Sequence, residues 1–246
     1  MKKDGRRRAL LVAVLLVLTA CGSNSNDQIL VSAAASLTDA FAELETGFET
    51  NNPAVDVVLN LAGSSTLREQ ILEGAPIDVF ASANIANMDQ VVGAGLVERS
   101  PRVFSSNRLQ IAVPLGNPAG ITGLADFANE DLLIGLCAEA VPCGALGRTA
   151  LGAARVVPAI DTNEPDVRSL LTKVEAGELD AALVYATDVA STGGVDGVMI
   201  PQEVAVAYSI AVLAEAPNPT GANEFFEYVL SAEGQRILMD QGFVSP

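Results

Sequence analysis

The sequence predicts an α/β protein whose mainly parallel sheets are covered by helices. Two observations carry this. Short apolar runs at 29–33, 55–61, 79–81, 109–113, 133–136, 181–185 and 209–213 have the length and the boundaries of buried strands. Between most of them lie helix-period patterns, at 37–49, 66–73, 86–94, 146–152, 166–176 and 221–240. Strands that alternate with helices of this length build parallel sheets with both faces covered. Hydrophobic residues make up 50% of the chain and no solenoid-length repeat stands out, so a well-buried globular body is expected.

Taken in order, the first residues stand apart from that body. Lys2, Lys3 and Arg6 to Arg8 form a basic head, residues 9–18 an apolar core, and "LTAC" closes the segment with small residues before Cys21. This is the layout of an export signal and is short for a membrane span, an uncleaved anchor helix being the alternative. "LTAC" also resembles the lipobox of bacterial lipoproteins, whose cysteine is acylated and becomes the new first residue. Residues 1–20 are then the leader and 21–27 a flexible tether, in an exported protein lipid-anchored to the outer face of the cell membrane. Positions 1–20 hold five basic residues and one acidic, so removing them from 14 basic and 30 acidic leaves 9 and 29, a net charge of −20. Such a field repels nucleic acid and anionic headgroups, which leaves acyl chains on Cys21, and no basic patch, to hold the membrane.

Without its first 20 residues the 246-residue chain keeps 226, enough for one large domain or two of about a hundred residues each. "PLGNPAG" at 114–120 and "STGGVDG" at 191–197 are loose stretches where the chain can divide. The division expected is a first lobe from 28–108, a second lobe from 109–203, and a return to the first over 204–246. Two lobes with two crossings place a ligand in the cleft between them, at the carboxyl ends of strands. Cys137 and Cys143 are either a disulfide, as export to an oxidising compartment favours, or two buried thiols. A metal site is not expected, because the chain has no histidine and two thiols do not complete a tetrahedral shell.

The strand-to-helix joins carry the chemistry. In "ILVSAAASLTDAF" only alanines and Ser36 separate the first strand from its helix, and Ser36 occupies an N-cap position with Asp39 three residues on. In "LAGSSTLREQIL" Gly63, Ser64, Ser65 and Thr66 precede the next helix. Capping alone accounts for either join; two such helix starts facing one cleft make a pocket of donors for an anion. "NEPDVRSLLTKVEAG" matches them from the second lobe, with Pro165 as first helical residue, the amides of Asp166 and Val167 free, and Gly177 just past the end. "VPCGALGRTAL" leads into another helix through Cys143 and Gly144, and "ELDAALVYATD" is a strand ending in Tyr185, which is either a cleft hydroxyl or a core tyrosine. Arg148 and Arg168 fall beside helix starts, but acids such as Glu164 and Asp166 are there to pair with them. A site of neutral donors is therefore expected.

These motifs resemble the molybdate-binding proteins of ABC importers. "AAASLTDAF", "GSSTLREQI", "GAPIDVFASA", "VPCG", "DVRSLL", "AALVYATD" and "FFEYVLSAEGQRILMDQGF" match that family in order and spacing, over essentially all of residues 29–244. The resemblance implies the two-lobed periplasmic-binding-protein fold of type II, with lobes that close over the anion, and no enzymatic activity and no cofactor. It implies that molybdate or tungstate is held by Ser36 and Ser64 of one lobe and by the amides of Cys143 and Val167 and the hydroxyl of Tyr185 from the other. The partner it implies is a membrane permease, met by a monomeric receptor. The family often has alanine at the position of Cys143, a change that a backbone contact tolerates.

Other readings are less well supported by the residues. A sulfate or phosphate receptor is the runner-up, although phosphate usually carries a proton that an all-donor site cannot accept. A Ser-His-Asp hydrolase is excluded by the absence of histidine, and Lys173, the lysine that remains after the leader, lies well inside a helix. A disulfide-exchange protein does not fit the spacing of Cys137 and Cys143, which is not the two-residue spacing of the usual redox motif.

Overall fold

A computed structural model describes residues 28–200 and 204–246, so the leader, Cys21 and the tether lie outside the described residues. The first lobe opens with β1 (Gln28–Ala34), a 3-10 turn at Ala35–Leu37 and α1 (Thr38–Asn51). β2 (Asp56–Ala62), α2 (Ser64–Leu72), β3 (Val79–Ser82) and α3 (Ile85–Gly93) follow. β4 (Arg102–Pro114) then leads into the second lobe: β5 (Ile134–Cys137), α4 (Pro142–Ala153), β6 (Thr162–Glu164), α5 (Val167–Glu175), β7 (Ala181–Tyr185), α6 (Ala186–Ala190) and β8 (Val195–Val198). The chain returns through β9 (Ala205–Val212) to α7 (Pro219–Leu230) and α8 (Ala232–Asp240).

Strands pair in the order β2-β1-β3-β9-β4-β7-β5-β6, with β8 also on β4. Pairing is parallel within β2-β1-β3 and within β6-β5-β7, as strand-helix alternation requires. Every pair that involves β4 or β9 is antiparallel, which makes the sheet mixed and corrects the expectation of mainly parallel sheets. The reason is the crossing itself. β4 leaves one lobe and enters the other as a single strand, and β9 runs back along it.

β4 is longer than its apolar run because residues 102–108 alternate exposed and buried positions while pairing with β9. β8 forms in the stretch expected to be loose, where Asp196 and Gly197 pair with Val113 and Ala112. The single helix expected over 221–240 is two helices. Ser231 breaks it, its hydroxyl donating to the Tyr228 carbonyl and accepting from the Gly234 amide at 3.2 Å. Pro165 lies outside α5, whose N-cap is Asp166, with the carboxylate accepting the Ser169 amide at 2.8 Å. Gly177 does follow the end of that helix, in the left-handed region at φ 68°.

Each lobe has its own core. One gathers Ile29, Val31, Phe41, Leu44, Phe104, Tyr208, Ile210, Phe225 and Phe226, with a satellite around Leu67, Phe80 and Val91 under α2 and α3. The other gathers Ile111, Phe127, Leu136 and Leu183 on one face of its sheet and Leu170, Val174, Ala182 and Val184 on the other. Phe225 is fully buried and meets Phe41 and Phe48 edge to face, at 6.2 and 5.3 Å between centroids. Replacing Phe225 by Ala is expected to cost about 3–5 kcal/mol in urea unfolding, since the ring is lost and the cavity cannot collapse under two helices and a sheet.

Candidate functional site

A cavity of about 190 Å3 lies between the lobes, and Ser36, Ser64, Cys143, Val167 and Tyr185 all line it. The structure therefore brings the five predicted residues to one place. Gly63, Val141, Pro142 and Asp166 complete the helix starts around it. The lobes meet closely at the rim: a Cβ on Gly63 would lie 2.5 Å from the carbonyl oxygen of Pro165 across the cleft. Glycine is needed there for space, not for an unusual φ, which is −59°.

Three helices end at the cavity. In α2, α4 and α5 the first turn-closing amides are those of Leu67, Ala145 and Leu170, which bond Gly63, Val141 and Asp166. Among the described residues no hydrogen-bond partner reaches the amides of Ser64, Cys143 or Val167, so these N–H groups face the cavity unpaired. Pro142 takes the first position of α4, where a missing N–H costs nothing. Each helix also presents the positive end of its dipole.

The side chains add protons. Ser64 Oγ already accepts the amide of Ala83 at 3.0 Å, so its own hydroxyl proton is left for the cavity. Tyr185 is buried, and its hydroxyl is without a partner although it lines the space. Burial above all, with Tyr208 and Asp188 nearby, pushes that phenol well above its ordinary range, so it remains a donor. Asp166 is charged, but its two carboxylate oxygens are taken by the amide and hydroxyl of Ser169.

Ser36 departs from expectation. It lies inside the 3-10 turn, α1 starts at Thr38 with Leu37 as N-cap, and no side chain caps it. The hydroxyl of Ser36 instead meets that of Tyr208 at 2.8 Å, and Asp39 turns to Arg168. Tyr208 was missed by sequence reasoning because its partner lies 172 positions away, beyond any local pattern. Its strand signal begins one residue later, at Ser209.

Neither arginine lines the cavity. Arg148 braces the Cys137–Gly144 loop by donating to both carbonyls, at 2.8 and 3.1 Å. Cys137 and Cys143 in that loop are bridged, with Cα atoms 5.8 Å apart. Arg168 does pair with acids, but the partners are not Glu164 and Asp166. Glu164 takes Lys173 at 2.6 Å, while Arg168 reaches across the cleft to Asp39 at 2.5 Å and stays within its own lobe to meet Asp188 at 3.3 Å. The guanidinium projects sideways from the first turn of α5, toward α1 and α6, whereas Glu164 lies on the strand before that helix.

Two α/β lobes joined by crossing strands around an enclosed cleft define a two-lobed binding protein. The chain belongs to the family of bacterial extracellular solute-binding proteins, whose profile matches residues 29–244. The molybdate-binding protein ModA of Mycobacterium tuberculosis is 39% identical over 252 residues, covering 96% of this chain and 97% of that protein. The molybdate-binding protein ModA of Escherichia coli is 32% identical over 232 residues, with 88% of each chain covered. Among solved structures, the periplasmic molybdate-binding protein of Azotobacter vinelandii shares the fold at a TM-score of 0.76 and 17% identity, over 89% of this chain and 99% of that one.

Asp188 links the site to pH. Burial, the largest influence, lifts its carboxyl from 3.8 to about 7, while Arg168 and the Tyr185 amide, which donates at 3.0 Å, pull it down. A carboxyl raised on folding gives its full stabilisation below its unfolded value and loses it as pH rises through the folded one. Wild-type stability should therefore fall between about pH 4 and 7 by an amount that Asp188→Asn abolishes. Arg168→Gln should extend the decline above pH 7 and destabilise by somewhat less than the about 3–5 kcal/mol of a fully buried pair, since Arg168 is 26% exposed. Thermal unfolding of the three proteins across pH 4–9 checks this, and parallel profiles would refute it.

Proposed function

We propose that this chain captures molybdate, and tungstate with it, and delivers the anion to the permease of an ABC importer. Membership of the solute-binding family and 39% identity to a molybdate-binding relative along almost the whole chain support the ligand class. The observation that carries the proposal is the donor-only lining: unpaired amides of Ser64, Cys143 and Val167, the outward proton of Ser64 and the unpartnered hydroxyl of Tyr185. A tetrahedral dianion is acceptor on all sides, and hydrogen bonds to a charged group contribute about 1.5–3 kcal/mol each. Tungstate has the same charge and shape, so the same donors serve it.

On this proposal residues 28–108 and 204–246 move as one lobe and 109–203 as the other, about β4 and the return to β9. The bridge between Cys137 and Cys143 restrains the loop that aims the Cys143 amide and is stable in the exported protein. The receptor is a monomer, anchored to the outer face of the cell membrane by lipid on Cys21.

Calorimetric titration of the soluble form lacking residues 1–26 is expected to give one molybdate or tungstate per chain, with sulfate and phosphate far weaker. Ser64→Ala should weaken molybdate binding by about one to two orders of magnitude, and Cys143→Ala should be mild because the amide remains. Equal affinity for sulfate would leave only a generic oxyanion receptor. In the full-length protein, Cys21→Ala is expected to shift the chain from the membrane fraction to the soluble fraction with ligand binding unchanged. Retention on the membrane would make the apolar leader the anchor.

A further inference from the structure

Behind Ser36 lies a chain of buried polar groups that belongs to neither the cavity lining nor any cap. Tyr208 on β9 places its hydroxyl 2.8 Å from Ser36 Oγ. The side-chain nitrogen of Asn107 on β4 lies 3.5 Å from the same phenol oxygen and 2.7 Å from Thr187 Oγ1 on α6. Asn107, Thr187 and Tyr208 are all buried. The amide of Asn107 has a determined orientation, because its oxygen accepts the backbone N–H of Arg108 at 2.8 Å. Its NH2 must therefore face Thr187 and Tyr208.

An NH2 group has protons to give and no lone pair to receive one. Tyr208 thus accepts from Asn107 and must place its own proton on Ser36. The reverse arrangement, with Ser36 donating to Tyr208, leaves the phenol proton facing the Asn107 protons in a buried setting. Around it stand Tyr185, Phe104 and Phe243, at 5.4 to 6.2 Å between ring centroids, which present ring edges and faces. With its acceptor side occupied by Tyr208, Ser36 can direct its proton only into the cavity it lines. Burial pushes the Tyr208 phenol far above its ordinary range, so the proton is always present to be given.

We infer that Tyr208 and Asn107 are positioning residues that orient the Ser36 hydroxyl as a donor and so select oxyanions that carry no proton. The inference rests on the proposed oxyanion site and extends it: selectivity against a protonated anion is set two residues behind the ligand. A free serine hydroxyl can turn and accept the proton of phosphate; this one is held with its lone pair filled. Ser64 is held the same way by the Ala83 amide, but that donor is backbone and cannot be exchanged by mutation.

The test is titration of wild type, Tyr208→Phe and Ser36→Ala with molybdate and with inorganic phosphate at pH 7.5. Tyr208→Phe should weaken molybdate about tenfold while phosphate holds or improves, so that the ratio of the two affinities falls by at least that factor. Ser36→Ala should weaken molybdate without any gain for phosphate, since it removes the donor and supplies no acceptor. An unchanged ratio in Tyr208→Phe overturns the relay, including the case where both affinities fall equally. Wild type that binds no proton-free oxyanion at all overturns the oxyanion site and the relay with it. Neutron diffraction from the liganded wild type, which needs no variant to fold, gives the second measurement. A deuteron on Tyr208 Oη aimed at Ser36 supports the relay, and one on Ser36 aimed at Tyr208 sinks it.

Discussion

The cleft depends on one strand serving two sheets. β4 pairs with β9 through Arg108 and with β7 from Leu109 onward, so one lobe's sheet gives way to the other's between two consecutive residues. No loop or linker intervenes at that crossing, and the relative placement of the lobes is fixed by main-chain hydrogen bonds on both sides of it. Register then dictates what hangs over the cavity. Tyr185 sits opposite Leu109, and Tyr208 opposite Ser105, so both phenols project from the changeover itself. Antiparallel pairing at this point follows from the same constraint, because β9 carries the chain back beside the strand by which it left.

A neutral site for a dianion imposes a condition that ordinary polar pockets escape. Each hydroxyl must point its proton inward, and a hydroxyl does so reliably only when its own lone pair is already used. The Ala83 amide meets that condition for Ser64. Helix starts meet it without help, since their amides have no alternative acceptor. The one carboxylate at the lining, Asp166, is kept from repelling the ligand by the double contact with Ser169 that also caps α5.

Much of this was legible in the sequence because it is local. Helix starts at Ser64, Cys143 and Val167 are announced by small residues, proline and hydroxyls ahead of apolar periodicity, and Tyr185 ends a run of five buried residues. The rest depends on chain segments that meet only after folding. Ser36 has every local mark of a cap, yet a tyrosine on the return strand takes its hydroxyl. Arg168 has acids two and four residues away, and pairs instead with Asp39, 129 positions distant, and with buried Asp188. The half of β4 before Leu109 and the whole of β8 have weak apolar runs, because their pairing comes from the crossing and the sheet edge and not from burial on both faces.

Arg168 completes the division of labour. The cavity proper contains no cation, while an arginine beside it joins α1 of one lobe to α6 of the other through Asp39, Asp188 and Ser191. The arginine pair and the close passage of Gly63 past Pro165 both belong to the approached arrangement of the lobes. If the lobes separate, those contacts break, and so does the cage, because its donors come from both lobes. An anion shifts such an equilibrium only by the difference in its affinity for the two arrangements. With half the donors on each side, that difference is nearly the whole of the binding energy. A guanidinium inside the cavity would remain attached to one lobe and hold the anion in either arrangement, reducing the difference. Keeping the cation outside, where it strengthens closure without touching the ligand, leaves occupancy and closure tightly coupled and lets opening release the anion.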